Sequence, residues 1–130
     1  MLLDAFQRLL EPHCAIVGLA SDGRALVELA LKTAPDVVVL DISMPRLNGI
    51  EAAAQVRRKL PQVKIVFLTV NEDPDVAAEA IRRGASAFLL KSSASRELIS
   101  AIDIALAGRT YITPLITKGK PLGQFLSGVM

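Results

Sequence analysis

Asp36-Val37-Val38-Val39-Leu40-Asp41 is the stretch on which the fold turns: four apolar residues in unbroken succession, three of them β-branched, with an aspartate at each end. A strand with one wet face would alternate apolar with polar residues. This one does not, so both of its faces should be covered, as in a parallel sheet with helices on either side. Working outward, Lys64 to Thr69 repeats the pattern, Ala87 to Leu90 is a shorter version of it, and Ala15 to Ala20 reads as a further strand. Stretches of helical period separate these runs, and the alternation of the two is the rhythm of an α/β fold.

The punctuation agrees with that rhythm. Leu2 to Leu10 places Leu2, Leu3, Phe6, Leu9 and Leu10 on one helical face and is stopped by Pro12. Ser21-Asp22-Gly23 is a turn that starts a second helix, which runs to about Thr33 with Leu26, Leu29 and Ala30 inward and is closed by Pro35. A third helix spans Gly49 to Lys59 before Pro61. Asp73 followed by Pro74 is a helix cap with proline in the first position, and Gly84 after Arg82 and Arg83 ends that fourth helix. A fifth, with Leu98, Ile99, Ile102 and Leu106 on its apolar face, ends at Gly108. From Tyr111 the chain carries Pro114, Pro121 and glycines, so residues 1–113 are expected to form one domain. Residues 114–130 are expected to be a linker-like tail with no output domain.

Composition narrows the functions. Apolar residues make up 52% of the 130 and charged residues 22%, which suits a packed domain and not a disordered one. Fifteen basic against thirteen acidic side chains leave a net charge of +2, so charge gives no sign of direct nucleic-acid contact. No stretch has the length of apolar sequence that a membrane span needs, and a cytoplasmic location is the default expectation. Cys14 is a lone cysteine with His13 beside it. They read as a small hydrophobe and its exposed neighbour, not as a metal site.

Ligands of open parallel sheets bind at the carboxyl ends of the strands, so the chemistry is sought in the residues that close each strand. These are Asp41, Thr69 and Lys91. Singly, each has an ordinary explanation as a turn former, a β-branched strand residue or a solvated cation. Together, a carboxylate, a hydroxyl and an ammonium at one sheet edge can converge on a phosphoryl group. The carboxylate would act as nucleophile, with the other two as hydrogen-bond donor and charge partner.

At this point the sequence resembles a family. Asp41-Ile42-Ser43-Met44-Pro45-Arg46-Leu47-Asn48-Gly49 is similar to the phosphoacceptor loop of receiver domains of bacterial two-component response regulators. Phe67-Leu68-Thr69 resembles their strand ending in a switch hydroxyl. Gly84-Ala85-Ser86-Ala87-Phe88-Leu89-Leu90-Lys91, with Ala107-Gly108-Arg109-Thr110-Tyr111, is most similar to receivers that precede a LuxR-type helix-turn-helix. The resemblance implies a flavodoxin-like three-layer sandwich and a signalling switch that is not a turnover enzyme. Asp41 would accept phosphate from a sensor histidine kinase, Thr69 and Phe88 would be switch residues, and Ser43 and Asn71 would tune phosphate lifetime. It further implies Mg²⁺ held by Asp41 and the Ser43 backbone carbonyl, and a homodimer or partner surface on the fourth helix, the family's fifth strand (here Ala87 to Leu90) and the fifth helix.

One departure stands out. The resemblance enters at the family's first helix, so the first strand and the acidic pair that ends it have no counterpart in this sequence, and Mg²⁺ binding is expected to be weakened. Asp4, Glu72 and Asp73 are poor replacements, Asp73 being better explained as a cap. Two other readings therefore stand beside the phosphoacceptor. One is a degenerate receiver that binds or dimerises without phosphorylation. The other is a haloacid-dehalogenase-like phosphatase, which needs a second aspartate where this chain has Ser43.

Overall fold

The apolar runs lie side by side in the computed structural model, which describes residues 8–13, 22–42, 49–70 and 72–118. Strands β1 (Val37–Asp41), β2 (Lys64–Thr69), β3 (Ala87–Leu90) and β4 (Tyr111–Ile112) form one sheet in the order β1-β2-β3-β4. Every pairing is parallel, with Val38 opposite Ile65, Leu68 opposite Leu89, and Phe88 opposite Ile112. Residues 8–10 are helical and are labelled α1. Then follow α2 (Gly23–Thr33), α3 (Gly49–Lys59), α4 (Pro74–Arg82), α5 (Lys91–Leu106) and the single turn α6 (Pro114–Thr117).

The period of two along each strand divides the core between the two faces of the sheet. Val38, Leu40, Ile65, Phe67, Phe88 and Leu90 point to one face, where α2, α3 and α4 contribute Leu26, Ala30, Ala52, Val56, Ala77 and Ala80. Val66, Leu68, Ala87 and Leu89 point to the other, beneath Ala94, Leu98, Ala101 and Ile102 of α5, with Leu9 and Leu10 of α1 at its margin. Helices on both faces of a parallel sheet make the three-layer α/β sandwich, with the parallel sheet that the uninterrupted runs predict and the flavodoxin-like layering that the resemblance implies.

Local chemistry fixes the helix ends. The Asp22 carboxylate accepts from the Ala25 N–H at 2.8 Å to start α2, and Ala34 in the left-handed region (φ 48) ends it ahead of Pro35. Asp73 caps α4 through the Asp75 N–H at 2.9 Å, with Pro74 in the first turn. At the far end of α4, Gly84 has φ +101, and a side chain there would collide with the Arg57 guanidinium. That guanidinium reaches across from α3 and donates to the Gly84 carbonyl at 2.9 Å.

The structure adds to or departs from the sequence reading in three places. The first is the short stretch after residue 110, as far as it is described. Tyr111–Ile112 adds a strand to β3, and Pro114–Thr117 is a helical turn whose Ile116 is 2% exposed in the core. Thr113-Pro114 carries the same cap-then-proline signature as Asp73-Pro74, so the signal was present. Second, β1 is fully buried on one face only, because Val37 and Val39 are half-covered beside Leu9 and Leu10. Third, Leu106 is 51% exposed and does not share the buried face of α5, which is carried by Leu98, Ala101, Ile102 and Ala105. The expected strand at Ala15 to Ala20 lies outside the described residues, as does the manner in which the sheet continues beyond β1.

Two outcomes are expected. Ile102 is 4% exposed under the sheet, so Ile102→Ala should cost about 2–5 kcal/mol of unfolding free energy in a denaturant titration; a loss of under about 1 kcal/mol would contradict its burial. Tyr111 is the single tyrosine, and there is no tryptophan. Burial, aided by its hydrogen bond to the Glu97 carboxylate, pushes its hydroxyl up from 10.0 to about 12. Because the folded value is the higher, the stability linked to this hydroxyl is present in full below about pH 10 and is lost as pH rises towards about 12. Tyrosinate absorbance reads the titration directly, and Glu97→Gln should bring it back towards the ordinary value.

Candidate functional site

Three neighbouring strands deliver the candidate groups to one edge. Asp41 is the last residue of β1, Thr69 the last of β2, and Lys91 follows β3 as the first residue of α5. The register staggers them. Asp41 is level with Leu68, and Leu68 with Leu89, so Lys91 starts two residues farther along the sheet than Asp41. Its long side chain spans the intervening strand and pairs with Asp41, Nζ donating to Oδ2. The pair is part-buried, at 22% and 30% side-chain exposure for Lys91 and Asp41, so water still reaches the carboxylate. Thr69 lies at the end of the strand between them and is 4% exposed.

The loop after Asp41 is closed by glycine for a steric reason. The Gly49 N–H donates to the Ile42 carbonyl at 2.7 Å, and a Cβ at Gly49 would come within 2.7 Å of the Ile42 Cα and still closer to the Asp41 carbonyl oxygen. Only a residue without a side chain lets α3 begin directly against the backbone that carries Asp41. Ser43 and Asn71 lie outside the described residues, as does Asp4. Phe88 is fully buried in the core on the α2–α3–α4 face of the sheet. Glu72 lines a cavity of about 160 Å³ beside Thr69, together with Val70, Leu90, Ser92 and Leu115, while Asp73 is the α4 cap.

The donor set bears on the metal that the family resemblance implies. Among the described residues no group of three His, Cys, Asp or Glu side chains is placed to hold a metal ion, and the Lys91 ammonium already sits on the Asp41 carboxylate. Mg²⁺ demands near-octahedral oxygen coordination, so the described groups do not by themselves fit it. Sequence reasoning missed a second polar cluster. The Glu97 carboxylate accepts from the Tyr111 hydroxyl at 2.6 Å and from the Thr113 hydroxyl at 2.8 Å. The Thr113 hydroxyl makes no cap bond to α6 and goes to Glu97 instead, so the cap-like residue pair carried no sign of the cluster.

Comparison with known proteins places this geometry. The family model described as the response regulator receiver domain matches residues 1–103, and the chain belongs to that family. Receiver domains of response regulators are signalling modules of two-component systems. The chain is 44% identical over 84% of its length to an uncharacterized transcriptional regulatory protein, YxjL, of Bacillus subtilis, covering 50% of that protein. It is 36% identical over 83% of its length to the transcriptional regulatory protein DegU of Brevibacillus brevis, covering 46% of it. It thus spans about half the length of these curated relatives. Among solved structures, a LuxR-family two-component response regulator from Aurantimonas sp. SI85-9A1 superposes with a TM-score of 0.83 at 32% identity, covering 96% of this chain and 86% of that one. None of the described helices is long and apolar enough to cross a membrane.

The tight approach of α3 to the Asp41 backbone yields a prediction. Gly49→Ala should destabilise the chain by about 1–3 kcal/mol in urea unfolding, since the atoms it meets are backbone and cannot swing aside. It should also displace the NMR signals of Asp41 and Ile42; wild-type stability and unshifted signals would show that the loop yields without cost.

Proposed function

We propose that this chain is a phosphoacceptor receiver in which Asp41 takes a phosphoryl group from a sensor histidine kinase. The observation that carries the reading is the Asp41–Lys91 pair at the carboxyl edge of the sheet, with Thr69 at the end of the strand between them. In the transfer, an Asp41 carboxylate oxygen attacks the phosphorus of a phosphohistidine. The P–N bond breaks, its electron pair returns to the imidazole, and an acyl phosphate is left on Asp41. The phosphoryl group brings about two negative charges to the sheet edge. The Lys91 ammonium would pair with one of its oxygens, and the Thr69 hydroxyl would donate to another. The rearrangement that follows would involve Thr69, Phe88 and α4, with cytoplasmic signalling as its setting.

The partner surface implied by the resemblance is the face made by α4, β3 and α5. In this structure β4 and α6 lie on it, β4 along the edge of β3 and α6 against α4. A homodimer formed there uses the outer surface of that segment or displaces it. Nucleic-acid contact is not expected of these residues, although the relatives named above are transcriptional regulatory proteins. A degenerate receiver that works without phosphorylation is the second reading. What favours it is that the described donors make no complete Mg²⁺ site.

Intact-mass measurement after incubation with acetyl phosphate and Mg²⁺ separates the two. A single phosphoryl adduct, absent in Asp41→Asn and reduced by at least about tenfold in Lys91→Ala, is the expected result. Mg²⁺ titration followed by calorimetry should give weak binding. An unlabelled wild-type chain would leave the degenerate receiver standing, and labelling that survives Asp41→Asn would remove Asp41 from its role.

A further inference from the structure

We propose that the C-terminal segment Tyr111–Lys118 is a strap that reports the state of the Asp41–Lys91 pair, docked while the pair holds and loosened when Lys91 is drawn away. The proposal rests on the phosphoacceptor reading only for what draws Lys91 away in the cell. The strap's docking itself stands on geometry.

The strap is tied to the elements that carry the candidate groups. Its hydroxyls, on Tyr111 and Thr113, both donate to Glu97, which is six residues beyond Lys91 on α5 and therefore about 9 Å along the same helix. Its backbone satisfies the outer edge of β3, the Tyr111 N–H donating to the Ser86 carbonyl and the Thr113 N–H to the Phe88 carbonyl, each at 3.0 Å. Ile112 and Ile116 are buried in the same core as Phe88. Leu115 closes the cavity whose other walls include Thr69, Leu90 and Ser92, the neighbours of the pair.

The strap is also lightly held. It has two residues of strand and one turn of helix, with Leu115 58% exposed and Lys118 in the left-handed region at φ 55. Short elements at the edge of a sheet open at lower free energy than its central strands, even where, as here, some of their side chains are buried. A phosphoryl group on Asp41 would take Lys91 as partner and turn the Thr69 hydroxyl towards the sheet edge. Turning Thr69 withdraws a wall of the cavity against which Leu115 rests, and redirecting Lys91, the first residue of α5, shifts the helix that carries Glu97, the acceptor of both strap hydroxyls. Loosening uncovers the Ser86 and Phe88 carbonyls and the Ile112–Ile116 surface, which changes what the α4–β3–α5 face offers a partner.

Amide hydrogen exchange on the full chain tests this. Lys91→Ala and Asp41→Asn each remove the pair from one side without any phosphorylation. Both should raise exchange across Tyr111–Lys118 by about tenfold while β2 amides such as Val66 and Phe67 stay protected. The double variant Tyr111→Phe, Thr113→Val sets the level of a released strap. If it accelerates exchange while both pair-breaking variants remain at the wild-type level, the strap does not read the pair and the proposal is overturned. Acetyl-phosphate-treated wild type is followed by intact mass in parallel. Labelled protein with an unchanged strap would likewise overturn the proposal. Failure to label would count against the phosphoacceptor reading alone, since the two pair-breaking variants do not depend on it.

Discussion

The Asp41–Lys91 pair is the interaction on which the arrangement of this edge depends. It joins the end of β1 to the start of α5 across β2, so it fixes three strands and one helix relative to one another at the carboxyl end of the sheet, where the backbone ladders run out. Neighbouring parallel strands lie about 4.8 Å apart, and a span of two such steps is beyond a short cation but within reach of a lysine side chain leaning towards an aspartate. Part-burial strengthens the attraction over that of a surface pair and makes loss of either partner costly for the one left behind. A pair so placed is also easily redirected: any anion arriving on Asp41 competes for Lys91.

The opposite end of the molecule is pinned by a different cation. Arg57 crosses from α3 to the carboxyl end of α4 and binds the carbonyls of Gly84, at 2.9 Å, and Arg83, at 3.4 Å, while Gly84 leaves the space a side chain would fill. A guanidinium on the last carbonyls of a helix is favoured by the helix dipole as well as by hydrogen bonding. The C-terminus of α4 is thus tied to α3. Its N-terminus begins at the Asp73 cap, one residue from Glu72, which lines the cavity beside Thr69. A displacement of α4 driven from the sheet edge would therefore pivot about the Arg57 end.

Most of this fold was legible because burial on two faces leaves a strong mark on sequence. Val37 to Leu40 and Ile65 to Leu68 have no polar residue to interrupt them, and the caps at Asp22 and Asp73 announce themselves by residue type. The strand-end groups were legible for the same reason, since ending the apolar run at a charged or hydroxyl residue is what marks Asp41, Thr69 and Lys91. What escaped was whatever depends on tertiary contact. Tyr111-Ile112 is too short to show a period, and Pro114 reads as a breaker unless Thr113 is seen to precede it. Nothing in the spacing of Glu97 from Tyr111 or Thr113 predicts that one carboxylate will collect both hydroxyls. The half-covered face of β1 was overestimated because an apolar run states what a strand can bury, not how much neighbouring surface arrives to bury it.

Edge protection explains why a two-residue strand is worth building. Without β4, the outer edge of β3 would present the Ser86 and Phe88 carbonyls beside a fully apolar strand, an invitation to pairing between chains. The segment that removes this hazard closes it with a short parallel backbone ladder, two hydroxyls on one carboxylate and two isoleucines. A longer strand would protect the edge more firmly but could not be withdrawn. The hydroxyl pair on Glu97 supplies what the short strand lacks, because hydrogen bonds to a charged acceptor are stronger than those between neutral groups. They are also directional, and so depend on where α5 sits. Since α5 begins at Lys91, the protection of the sheet's last edge and the charge balance at its carboxyl end are governed by the position of one helix.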